Sequence, residues 1–216
     1  TLASCEKGIE VEPSYPSNYH MASIYYSKHS NEKIWGLLYG ELFINLERGS
    51  EKTSEISKLL YDTYKSSIII KHGGQSIVSF SKSNIINLSG NSKKIKFPFS
   101  MPFEMTMALS ITSELENSNL GISSLNNIRT SFINNWYQNK RNKEYPNILF
   151  DWHKKLIGLN YFEPYNYWLL MKGNEEEFNA WYSNNSDSFD NFIKWFTNNP
   201  LKIDKRNDFH RLQYSR

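Results

Sequence analysis

The chain has 216 residues, a net charge of +3 and an aromatic fraction of 15%. So many large aromatic side chains can fill a substantial core. The small charge argues against a nucleic-acid-binding protein, which needs a basic stripe across its surface. A single cysteine excludes an intrachain disulfide and a Cys-rich metal site. No run of 18 apolar residues, the length that crosses a membrane as a helix, occurs in the chain.

The N-terminal segment contains that cysteine, in the motif Leu2-Ala3-Ser4-Cys5. This motif resembles the lipobox of bacterial lipoproteins, and the Lys-, Asn- and Ile-rich composition resembles that of Bacteroidota proteins. The resemblance implies that Cys5 becomes the first mature residue, carries a lipid and anchors the protein to a bacterial outer membrane, on either face. The following residues are charged, contain two prolines and have no helical period. Residues 1–17 are therefore predicted to be a lipobox remnant and a flexible tether; the alternative is an ordinary surface or buried cysteine.

A helical pattern begins at Asn18 and extends over residues 18–66. Met21, Ile24 and Tyr25 share one helical face with Ala22 beside it, and a second apolar stretch follows the break at residues 30–31. Residues 18–50 resemble one tetratricopeptide repeat, a helical hairpin of about 34 residues. In that resemblance Ala22 and Tyr25 occupy the small and aromatic positions of the first helix, and Gly36, Tyr39 and Gly40 those of the second. The glycine spacing is shorter than in the family, and no proline follows.

Residues 67–97 change from a helical to a β period. The stretch "SIIIKHGGQSIVSFS" predicts two β-branched strands around a two-residue Gly73-Gly74 turn, which pairs Ile70 with Ile77 and Ile69 with Val78. The stretch "IINLSGNSKKIKF" predicts a second hairpin. The segment is therefore expected to be a small antiparallel sheet of up to four strands that packs against helices.

Residues 98–200 are predicted to be a helical C-terminal part that packs with the rest. Asn174, with Glu177 three residues on, predicts a capped helix start. The motif Phe-x-x-Trp-aromatic then occurs twice, fourteen residues apart, which predicts two short helices in an antiparallel hairpin against Trp168. An aromatic stripe of this kind is usually core. Because three tryptophans could overfill a core, Trp168, Trp181 and Trp195 are kept as a possible interaction surface.

The last segment, residues 201–216, is a basic tail whose net charge equals the net charge of +3 of the whole chain. Such tails are usually solvated or frayed. With the other segments, this organisation predicts a mainly α fold (α+β) of helical hairpins with one small antiparallel sheet.

No residue pattern indicates a catalytic, metal or cofactor site. The five histidines form no His-x-x-x-His or His-Glu-x-x-His pair, and phosphate-loop, dinucleotide and nucleophile-elbow motifs are missing. The sequence therefore favours a non-enzymatic, lipid-anchored scaffold or accessory protein with protein partners in the cell envelope. The alternative is an exported hydrolase of peptide or glycan, for which His72, His153 and Glu163 are the candidate residues.

Overall fold

The computed structural model describes residues 1–70, 76–81, 97–111 and 120–214. Its N-terminal helices are α1 (Leu2–Val11), α2 (Pro16–His29), α3 (Lys33–Leu46) and α4 (Glu51–Ser67), followed by strands β1 (Ile68–Ile70) and β2 (Ser76–Val78). Its C-terminal helices are α5 (Ser100–Ser110), α6 (Ile122–Gln138), α7 (Arg141–Glu144), α8 (Ile148–Gly158), α9 (Phe162–Leu170) and α10 (Glu175–Asn198). Short 3₁₀ turns occupy Met171–Gly173 and Arg211–Tyr214. The mainly α fold with a small antiparallel sheet is confirmed.

Helix α1 replaces the predicted flexible tether, and this prediction was wrong. Thr1 caps the helix by accepting a hydrogen bond from the backbone N–H of Ser4. Leu2, Cys5 and Ile9 lie at helical spacing and face the core, where Ile9 is fully buried. The sequence pattern did not reveal the helical period of α1 because a charged residue, Glu6, lies on the buried face beside these apolar residues.

Helices α2 and α3 pack closely where their side chains are small. The Ser23 hydroxyl donates a hydrogen bond to the carbonyl of Gly36 at 2.8 Å. A Cβ atom at Gly40 would lie 2.6 Å from the Ser23 hydroxyl, so only glycine fits here without a shift. The buried face of α2 is the one that contains Tyr19, Ala22 and Ser23.

The outer face of α2 contains the residues that the apolar pattern grouped together. Met21 is 57% exposed and Tyr25 is 43% exposed. Ile24 is only partly buried against the core. The hydrophobic pattern therefore identified the helix but not the face that it buries.

The two described strands pair one residue out of the predicted register. Ile68 faces Val78 and Ile69 faces Ile77. In this register Ile70 faces Ser76, and the predicted Gly73-Gly74 turn between them lies outside the described residues. The end of α4 fixes the register, because it directs Ile68 into the core at 3% exposure. The predicted second hairpin lies almost entirely outside the described residues.

The last long helix, α10, consists of two helical segments that meet at Asn185, which has non-helical dihedrals (φ −133°, ψ 19°). The ring of Phe189 lies 5.5 Å from the rings of both Phe178 and Tyr182. A straight helix would separate Phe178 and Phe189 by about 16 Å, because it rises 1.5 Å per residue. The chain therefore bends at Asn185 between two short aromatic segments.

The C-terminal segment is part of the core, and the prediction of a solvated or frayed tail was wrong. Leu201, Ile203 and Phe209 are buried. The ring of Tyr214 stacks on Phe99 at 4.7 Å with an interplanar angle of 7°. The sequence pattern did not reveal these apolar positions because they are interspersed with charged residues. One of those charges, on Arg206, forms an ion pair with Asp204 at 2.6 Å.

Candidate functional site

The most concentrated group of ionisable side chains surrounds Glu41 in the interior. One carboxylate oxygen, Glu41 Oε1, accepts hydrogen bonds from Arg129 Nη2 at 2.5 Å, His153 Nε2 at 2.7 Å and the Tyr165 hydroxyl at 2.7 Å. Asn45 Nδ2 donates to the Tyr165 hydroxyl at 2.7 Å. We call these five residues the Glu41 cluster.

Four helices build the Glu41 cluster. Helix α3 provides Glu41 and Asn45, one turn apart on the same face, while α6, α8 and α9 each provide one further member. Asn147 fixes the start of α8, because its side chain accepts hydrogen bonds from the backbone N–H groups of Leu149 and Phe150. The cluster therefore ties the N-terminal helices to the C-terminal ones.

Burial and charge set the protonation states of the cluster. Burial raises the pKa of Glu41, but the Arg129 guanidinium and His153 outweigh it and hold that pKa at about 2. Burial likewise lowers the pKa of Arg129, but the Glu41 carboxylate outweighs it and raises the pKa above its usual value. Burial lowers the pKa of His153 below its ordinary value, and the charge of Arg129 lowers it further. Glu41 acts in the opposite direction but does not outweigh them. At neutral pH the site thus holds an ionised Glu41–Arg129 pair and a neutral His153.

The Glu41 cluster is closed to solvent. Glu41, Arg129 and His153 are 2%, 3% and 4% exposed, and Tyr165 is fully buried. Arg129 Nη1 and Asn45 Oδ1 are buried without a hydrogen-bond partner. A closed cluster of this kind can hold helices together, but it offers no surface to a substrate.

A second buried carboxylate, Glu6, ties α1 to the C-terminal segment. Glu6 accepts hydrogen bonds from the hydroxyls of Tyr26 at 2.6 Å and Tyr39 at 2.8 Å. The Tyr39 hydroxyl accepts from the backbone N–H of Arg211 at 2.8 Å, and Arg211 Nε lies 3.6 Å from Glu6. Burial, and after it the charge of Glu6, raise the pKa of Tyr39 well above its usual value. The hydroxyl therefore stays protonated and can donate to Glu6.

Two clefts open between the C-terminal segment and the helices. One, of about 570 Å³, is lined among others by the carboxylates of Glu144, Asp151 and Asp208. Each has a neighbour: Arg141 for Glu144, the Tyr137 hydroxyl for Asp151 and His210 for Asp208. The other, of about 380 Å³, lies between α1 and the 3₁₀ turn Arg211–Tyr214. Neither cleft includes a member of the Glu41 cluster.

The three candidate interaction tryptophans are partly buried at the edge of the core. The Trp168 ring packs edge-on against Phe196 at 4.8 Å. The Trp181 ring stacks on Tyr167 at 4.1 Å, and that of Trp195 stacks on Trp152 at 5.7 Å. Each tryptophan thus covers a different aromatic neighbour.

Of the candidate hydrolase residues, His153 and Glu163 each bond a different partner. His153 bonds Glu41 in the interior, whereas the exposed Glu163 accepts a hydrogen bond from Trp181 Nε1 at 3.0 Å. His72 lies outside the described residues. The candidate lipidation residue, Cys5, is half-buried on α1 with a free thiol.

Comparisons with known proteins do not assign a family. No protein-family model, curated protein or solved structure matches the chain. Within the described residues, no helix is long and apolar enough to cross a membrane. The same residues contain no group of three or more His, Cys, Asp or Glu side chains placed to hold a metal ion.

The sequence reasoning missed Glu41 and Arg129, although a signal for both is present. Glu41 is the only charged residue between Ile34 and Leu46, and Arg129 is the only charged residue of α6. A lone charge within an apolar helical pattern must either face solvent or find a partner of opposite charge. The sequence could have suggested a pair, but not that His153 and Tyr165 join it.

Proposed function

We propose that the chain is a non-enzymatic interaction protein of the bacterial cell envelope, anchored by a lipid on Cys5. The observation that favours a non-enzymatic scaffold is the use of the buried ionisable groups, whereas the anchor is proposed from the Leu2-Ala3-Ser4-Cys5 motif. Arg129 and His153 both donate to Glu41, and all three side chains are at most 4% exposed. A catalytic acid or base needs access to substrate, so this cluster is better suited to holding a rigid scaffold.

Apolar pairs on the outer faces of helices support the same proposal. Met21 and Tyr25 are four residues apart on α2 and are 57% and 43% exposed. Met105 and Leu109 have the same spacing on α5 and are 51% and 70% exposed. Residues four apart on a helix are surface neighbours, and exposed apolar groups that adjoin favour a protein partner.

The experiment that tests partner binding is site-specific photo-crosslinking in the native host. A photo-reactive amino acid replaces Tyr25 or Leu109, and Ser183, which is exposed on α10, provides the matched control position. We expect one defined protein adduct from at least one apolar position and none from Ser183. If neither apolar position gives an adduct above the Ser183 background, the interaction proposal is wrong.

The lipid anchor is tested separately by mass spectrometry of the N-terminal peptide. We expect a mature chain that begins at a lipid-modified Cys5, and a Cys5→Ser variant that leaves the membrane fraction. A membrane-free chain that retains Thr1–Ser4 and an unmodified thiol would exclude the anchor. Because this measurement does not depend on crosslinking, the proposed lipid anchor and the proposed partner binding can be rejected independently of each other.

A second candidate, an exported hydrolase acting on peptide or glycan, is favoured by the cleft of about 570 Å³. Its lining includes Glu144, Asp151 and Asp208, and paired carboxylates in a cleft can act as acid and base. We place it second because each carboxylate already has an intramolecular neighbour. Hydrolysis of a peptide or glycan that is lost in Asp151→Asn would reverse this order.

A further inference from the structure

His153 is surrounded by charged and aromatic groups from every helix that packs against it. Helix α3 provides Glu41, with its Oε1 at 2.7 Å from His153 Nε2, and α6 provides Arg129, with its Nη2 at 3.2 Å from the same atom. Helix α9 provides the rings of Phe162 at 5.1 Å and Tyr165 at 5.9 Å. Behind Arg129 lies the ring of Tyr64 from α4, and the exposed Lys154 and Lys155 follow on α8.

The hydrogen bonds define the neutral form of His153. Glu41 is ionised and can only accept, so His153 Nε2 must carry the hydrogen that lies between them. Arg129 Nη2 also donates to Glu41 Oε1, and these two donors meet at one acceptor rather than bonding each other. In this state the cluster holds one negative and one positive charge and is electrically balanced.

We propose that this arrangement makes the packing of α8 against α3, α6 and α9 sensitive to acid, with His153 as the proton acceptor. A second proton on the imidazole places two buried cations beside the single Glu41 carboxylate. The site then carries a net positive charge at 4% exposure or less, which is costly in a core. The scaffold is held rigid at neutral pH and loosens around α8 when the pH falls.

The direction of the effect follows from proton linkage. The pKa of His153 lies below its ordinary value of 6.5, chiefly because the site is buried. Just below pH 6.5 the unfolded chain therefore binds a proton that the folded chain does not. The stability that His153 contributes is complete above pH 6.5 and is lost as the pH falls from that value towards the pKa of the folded form.

The test compares urea unfolding of the full chain from pH 7.5 to 5 with that of His153→Gln, whose amide can still donate to Glu41 but cannot take up a proton. His29→Gln, at an exposed histidine on α2, is the matched control. We expect the unfolding constant of the unmodified chain and of His29→Gln to rise below pH 6.5, by up to about tenfold per pH unit for one proton. His153→Gln should lack that part of the rise. Identical pH profiles for the unmodified chain and His153→Gln would overturn the proposal.

Two measurements on the unmodified chain keep the proposal testable if His153→Gln does not fold. The NMR signal of the His153 ring should titrate with a midpoint below 6.5, and a midpoint at or above 6.5 would overturn it. Hydrogen exchange, corrected for intrinsic rates, should accelerate in α8 between pH 7 and pH 5.5 more than in α1, which contains no histidine. Equal acceleration in the two helices would show that the effect is not located at α8.

Discussion

At the scale of single residues, the Glu41 carboxylate connects three hydrogen-bond donors in the interior. It is ionised in a fully buried position because Arg129, His153 and Tyr165 all donate to it. A buried ion pair contributes little net stability compared with apolar side chains of the same size. Removing one member is different, because it leaves the other charge buried and unpaired.

Replacing Glu41 with glutamine should therefore be strongly destabilising. We expect Glu41→Gln to lower the free energy of unfolding by about 3–5 kcal/mol, because it leaves the Arg129 charge without a counterion. Urea denaturation measures the loss. Glu175→Gln is the matched control, because this carboxylate is 60% exposed in an ion pair with Lys172, and an exposed pair is worth about 1 kcal/mol or less. Similar losses in the two variants would contradict a structural role for the cluster.

At the scale of helices and strands, helix starts follow local capping signals. Ser50 caps α4 through the backbone N–H of Thr53, and Asn174 caps α10 through that of Glu177. These caps depend on neighbours in sequence, so the sequence can predict them. The faces of α1 and α2 and the strand register depend on what packs against them, and there the local patterns failed.

The α2–α3 contact should be sensitive to a single methyl group. A Cβ atom at Gly36 would lie 2.8 Å from the backbone nitrogen of Ser27, so the two helices must move apart. We expect Gly36→Ala to destabilise the protein by about 1–3 kcal/mol despite the better helix propensity of alanine. Gly158→Ala at the end of α8, where nothing lies within 4 Å of the added Cβ, should be neutral or stabilising. Thermal unfolding compares the two, and equal effects would mean that the helix contact tolerates the methyl group.

Glu177 should stabilise a helix other than its own. Its carboxylate accepts hydrogen bonds from the backbone N–H groups of Ile122 and Ser123, both at 2.8 Å, at the start of α6. We expect Glu177→Ala to cost about 1–2 kcal/mol in unfolding free energy, because it removes a cap and a negative charge at a helix N-terminus. The exposed neighbour Glu176→Ala controls for charge in the first turn of α10. A loss in Glu176→Ala as large as that in Glu177→Ala would contradict the cap.

At the scale of the whole molecule, the two ends of the chain close the same core. The Phe209 ring contacts the rings of Trp35 and Tyr39. The backbone N–H of Arg211 donates to the Tyr39 hydroxyl, which in turn donates to Glu6. In α1 the apolar helical period is interrupted by the buried Glu6, and residues 201–210 of the C-terminal segment are not helical. Their burial follows from contacts between residues that are far apart in sequence.

The C-terminal segment should therefore tolerate loss of charge but not loss of apolar surface. We expect Phe209→Ala to lower the free energy of unfolding by about 3–5 kcal/mol, because the ring is fully buried. Arg206→Ala, at a side chain that is 90% exposed, should leave it nearly unchanged. Urea denaturation would contradict the packed segment if Phe209→Ala were as mild as Arg206→Ala.

The sequence by itself determined the helical class, an antiparallel strand pair within residues 68–78 although not its register, the Asn174 cap and the two aromatic segments of α10. These features depend on period, caps and breakers, which act between residues close in the chain. Only the tertiary structure decided that Glu41, Arg129, His153 and Tyr165 share one site, that residues 2–11 form a helix, and that the charged C-terminal segment is buried. Such hydrogen bonds join residues from 20 to 172 positions apart, and no local pattern records which distant side chain will compensate a buried charge.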